Sequence, residues 1–84
     1  MSQHVVERDN VRYVFGWDQP LMSFYLRVYD LILPEEIQMR DWLGATADTK
    51  MYEVDDLVRA AQAHGLHIDP RMQVELYGEK DDGV

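Results

Sequence analysis

The sequence predicts an α+β domain, with a small antiparallel sheet of three to four strands from the amino-terminal half and one or two carboxyl-terminal helices on one face. Three observations carry this. Aromatic and β-branched residues alternate with period two up to about residue 33, as half-buried strands require. The apolar spacing changes to i, i+3, i+4, i+7 at Val54, Leu57, Val58 and Ala61, which is one stripe of a helix. Runs of strands followed by helices describe the α+β class, and 84 residues leave room for one core.

Residues 1–3 are expected to be loose, and His4 to Arg8 form a short strand. Asp9-Asn10 then suits a two-residue hairpin turn, since Asp and Asn tolerate positive φ. Val11 to Trp17 is the second strand, with Val11, Tyr13, Phe15 and Trp17 on one face. Gly16 weakens a strand interior unless a bulge or a close backbone approach uses it. Pro20 fixes its own φ and Asp18 can accept a backbone N–H, so Gly16, Trp17, Asp18 and Pro20 are assigned to a structural turn that sets strand register.

The third strand is read over Met22 to Leu33, the stretch on which the fold is organised. Met22, Phe24, Leu26 and Val28 make its apolar face; Ser23, Tyr25, Arg27 and Tyr29 make the other. A polar loop at Pro34 to Gln38 leads to a fourth strand at 40–45, in which Trp42 and Leu43 point to opposite faces. The first helix spans 54–64, with Glu53 and Asp56 spaced as a capping pair and Gly65 as its stop. Asp69-Pro70 is an N-cap followed by a first-turn proline and favours a second helix over 70–77, closed by Gly78. An edge strand is the rival, because Met72, Val74 and Leu76 also alternate. Residues 79–84 read as a frayed polar tail.

The segment Gly16-Trp17-Asp18-Gln19-Pro20-Leu21, followed by Phe24-Tyr25, resembles a loose group of short uncharacterised bacterial proteins with a Gly-Trp-Asp-x-Pro-Leu turn before an aromatic strand. The similarity extends through Trp42-Leu43-Gly44 and the helices. It implies a compact independent domain and carries over no activity and no site residue.

Sixteen acidic residues against eight basic ones give a net charge of −8, which disfavours nucleic-acid backbones and anionic membranes. Without cysteine there is no disulfide or thiolate metal site, and no run is long enough to span a bilayer. A soluble, cytoplasmic protein is the expectation. Adjacent carboxylates such as Glu35-Glu36 and Asp55-Asp56 point apart and read as solvated charge; the two serines, Ser2 and Ser23, lack a His-Asp pattern. No enzyme and no cofactor are expected. His64 and His67 supply two ligands at most, with His64 better read as a helix-end group, so no metal is assigned.

What remains is a surplus of aromatic residues too large for a small core. Tyr25, Arg27, Tyr29 and Trp42 are the candidate partner-binding residues, because Tyr, Trp and Arg anchor protein interfaces. The expected function is a small acidic protein-interaction module, with self-association through the aromatic sheet face as its simplest form. The alternative is a nucleic-acid-mimicking inhibitor, suggested by charge alone and weakened by arginines interleaved with the acids.

Overall fold

The architecture comes from a computed structural model that describes residues 2–83. Four antiparallel strands in the order β1-β2-β3-β4 form one meandering sheet: β1 His4–Arg8, β2 Val11–Asp18, β3 Ser23–Asp30 and β4 Met39–Leu43. Two helices follow, α1 Val54–Ala63 and α2 Pro70–Asp82, which makes the chain an α+β fold. Among the described residues, no helix is long and apolar enough to cross a membrane.

The first hairpin turns as its sequence requires. Arg8 pairs with Val11, and both residues between them have positive φ, 53° at Asp9 and 64° at Asn10, the signature of a type I′ turn. The second hairpin differs from the sequence reading at its far end. Met22 lies in the left-handed region with φ 52° and is 52% exposed, so it closes the turn and contributes nothing to the buried face. The Gln19 carbonyl accepts the Met22 N–H at 3.0 Å, and strand pairing resumes with Asp18 opposite Ser23.

β3 also ends earlier than the apolar run. The Asp30 carboxylate accepts the Ile32 N–H at 3.2 Å and the Asp30 carbonyl accepts Leu33 N–H at 3.3 Å. This local turn competes with the ladder, and Pro34 allows no return to it. Ile32, 75% exposed, is left in solvent by that turn. The loop then holds one turn of 3₁₀ helix at Glu35–Ile37. β4 runs 39–43, one residue earlier at its start and two at its end than read from sequence. Gly44 stops it at φ 94°, where an added Cβ would lie 2.1 Å from the Phe24 carbonyl oxygen.

The core lies between one sheet face and the helices. Tyr13, Phe15 and Trp17 of β2 and Phe24, Leu26 and Val28 of β3 meet Val54, Leu57 and Ala61 of α1 and Leu76 of α2, all buried. Burying a side chain of this size stabilises by about 1.5–3 kcal/mol, and the stripe on α1 has no other way to leave water. Asp56 accepts the Glu53 N–H at 3.2 Å across the first turn of α1, as the capping spacing anticipates.

α2 is a helix and not an edge strand, because Asp69 accepts the Met72 N–H at 2.9 Å over a proline start. Met72 and Leu76, four apart, then face the core while Val74 faces out. The helix does not close at Gly78: it continues to Asp82 and ends at Gly83, whose φ is 71°. The expected frayed tail is therefore helical as far as 82, and its last residue, Val84, lies outside the described residues. At the other terminus, Ser2 is held rather than loose. Its N–H donates to the Trp17 carbonyl at 2.9 Å, and its hydroxyl accepts the Trp17 N–H at 2.8 Å; Met1 lies outside the described residues.

Candidate functional site

The sheet has a second face that the helices do not cover. Alternation puts Tyr25, Arg27 and Tyr29 of β3 on it, and the register adds their neighbours: Val14 beside Arg27 on one side, Trp42 beside Arg27 on the other. Arg40 is the extra residue of a bulge, so Met39 faces Tyr29 across β3 and β4. The first hairpin contributes Val5 opposite Val14 and Glu7 opposite Arg12.

These strands form a shallow groove of about 380 Å³ lined by Gln3, Val5, Glu7, Arg12, Val14, Arg27 and Tyr29. Val5, Met39 and Trp42 are each about half-exposed around it. Arg12 reaches Glu7 only at 3.7 Å, a cross-strand pair in solvent of small energetic value.

Arg27 is the centre of the face. Its guanidinium carbon sits 5.2 Å from the Tyr25 ring centroid and 5.9 Å from that of Trp42, within range of a cation–π attraction to both. Among the described residues its Nε is buried without a hydrogen-bond partner, a cost that a native fold seldom leaves standing. Val5 and Val14 give the groove its apolar part beside the arginine, whose guanidinium N–H groups are suited to a carboxylate.

Of the four residues assigned to partner binding, Arg27, Tyr29 and Trp42 are on this face and at least partly open, whereas Tyr25 is closed at 2% exposure. The Tyr25 hydroxyl donates to the Ser2 carbonyl at 2.6 Å. Burial pushes its pKa above the ordinary tyrosine value; the Arg27 guanidinium opposes this, and Asp18 and Glu79 reinforce it.

The residues assigned to the turn divide in the same way. Gly16 is the place where the Ser2 backbone crosses β2, since a Cβ there would come within 2.4 Å of the Ser2 carbonyl oxygen. Trp17 is a core residue, edge-on to Phe24 at 4.9 Å, with its indole N–H donating to Gln19 Oε1 at 2.7 Å. Asp18 accepts the Leu21 N–H at a long 3.4 Å in solvent, and Pro20 occupies the tip of the turn.

Val5, Arg12 and Val14 were not singled out from the sequence as part of this face. The available signal was the Asp9-Asn10 turn, because a two-residue loop fixes the register that pairs Val5 with Val14.

The histidines are separated by the fold. His64 Nε2 lies 2.9 Å from Asp41 Oδ2, and the His64 carbonyl accepts the Tyr13 hydroxyl at 2.8 Å. His67 is exposed beyond the helix end. His4 instead meets α2, with its Nε2 2.6 Å from Glu79 Oε2 and Glu75 one turn away.

Comparison with known proteins returns no match: no family model, no curated protein and no solved structure matches this chain.

Proposed function

We propose that the protein is a small interaction module that associates with a second copy of itself through the open sheet face. The observation that carries this is the open groove around Arg27, where Val5 and Val14 lie among Glu7, Arg12 and Tyr29 and the buried Arg27 Nε has no hydrogen-bond partner among the described residues.

Charge selects this face over the others. Arg12 and Arg27 against Glu7 leave the groove at +1 in a chain whose total is −8, so two copies repel least when these faces meet. A two-fold arrangement requires one patch to complement itself. Here Glu7 on the outer strand of one copy can meet the arginines of the other, and the relation is mutual. Four strands about 4.8 Å apart and up to about eight residues long offer roughly 500 Å² of flat area, less than the roughly 800 Å² per partner of a stable complex. Association is accordingly weak and concentration-dependent.

Sedimentation velocity over a concentration series tests it. The wild-type chain moves from monomer towards dimer in the high-micromolar range, and Val5→Glu or Trp42→Ala holds it monomeric with an unchanged melting temperature. A monomer at every concentration up to 1 mM, or a dimer insensitive to both substitutions, refutes the reading.

A further inference from the structure

On the opposite side of the sheet from the groove, the first strand and the last helix bring together an imidazole and two carboxylates. From this geometry we propose that His4, Glu75 and Glu79 bind a divalent transition-metal ion of the zinc type, with water completing the coordination shell. The ligand atoms of the three residues all lie within 4.8 Å of one another.

Each ligand has a separate reason for its position. Glu75 and Glu79 are four apart on α2, which places them one turn apart on the same helix face. His4 is fixed by its ring, stacked on Phe15 with centroids 5.5 Å apart and planes at 30°. The Glu79 carboxylate is held at both oxygens: Ser2 Oγ donates to Oε1 at 2.6 Å and His4 Nε2 lies 2.6 Å from Oε2. The side chains of His4 and Glu79 are only 20% and 18% exposed, so these two sit in a seam between elements, with Glu75 at its exposed edge.

The chemistry narrows the occupant. Metal–ligand bonds of about 2.0–2.2 Å put neighbouring donors roughly 3.0–3.5 Å apart, so the His4–Glu79 contact opens slightly and the exposed Glu75 swings in. One nitrogen and two oxygens suit zinc, and three protein ligands leave a position for water. Calcium, which takes six to eight oxygens, is poorly served. The Ser2 hydroxyl, already on the distal oxygen of Glu79, would orient that ligand. Lys80 does not neutralise the pair: its ammonium donates to the Tyr52 carbonyl and approaches Glu53 at 3.9 Å.

An ion here ties β1 to α2 across 75 positions of sequence, so binding raises the thermal stability of the whole fold. The test is calorimetric titration of the chelator-treated full chain with zinc chloride, alongside its melting curve. One equivalent binds, the melting temperature rises by several degrees, and Glu75→Gln and His4→Gln each weaken binding at least tenfold. Glu75 is exposed, so its variant retains the wild-type circular dichroism and the comparison stays interpretable. His67→Ala leaves binding unchanged. No heat of binding, binding insensitive to Glu75→Gln, or binding lost in His67→Ala each overturns the assignment.

Discussion

The two faces of the sheet are made by the same alternation and end in different states. On the helix side, Phe24, Leu26 and Val28 are closed by α1 and α2, so each excludes water through contacts with other elements. On the open side no element arrives. Tyr25 is covered by Arg27 and the Ser2 backbone, while Tyr29 and Trp42 stay at least partly open. The difference shows that period-two patterning assigns residues to faces without deciding which face is buried. Depth comes from what lands on a face, and here one face receives two helices and the other only its own side chains.

The largest expected effect separates the faces directly. Phe24→Ala leaves a cavity between β3 and the helices and should lower stability by about 3–5 kcal/mol, whereas Tyr29→Ala should cost less than about 1 kcal/mol. Urea denaturation of both variants measures this, and similar losses would abolish the distinction. Next is Gly16→Ala, which places a methyl against the Ser2 carbonyl. Displacing that segment forfeits its hydrogen bonds to Trp17 and Tyr25, a loss of about 1–3 kcal/mol, and amide exchange at Trp17 should accelerate with it.

The smallest effect is a pH dependence. Burial raises the Tyr25 pKa in the folded chain, so the fold favours the neutral phenol. That contribution is complete below the unfolded value near 10 and is lost as pH rises from there through the folded value. Tyr25→Phe should therefore be less stable at pH 7, by about one hydrogen bond or 0.5–1.5 kcal/mol, yet lose less stability than wild type between pH 10 and 12. Parallel losses in the two proteins would show that Tyr25 is not shielded on the open face.

Local chemistry determined a good deal of this protein from sequence. Asp9-Asn10 specifies a left-handed two-residue turn, the i, i+3, i+4 stripe specifies α1, and Asp69-Pro70 specifies the start of α2, because in each case the deciding interactions lie within a few residues. Tyr25, Arg27, Tyr29 and Trp42 could be placed on sheet faces by counting alternate positions. Element ends were less legible. Met22 and Ile32 are apolar yet sit in turns, where Gln19 and Asp30 capture backbone N–H groups that a ladder would otherwise use, and Gly78 lies within a helix that α2 continues to Asp82.

Tertiary structure alone decided the long-range encounters. Nothing near Gly16 in the sequence announces Ser2, and nothing near His4 announces Glu79. Those contacts exist because the meander leaves β1 at the sheet edge and α2 crosses back over β2. The closing of Tyr25 and the meeting of an imidazole with two carboxylates follow from that path, since side chains 23 and 75 positions from their partners interact only once the backbone has brought them together.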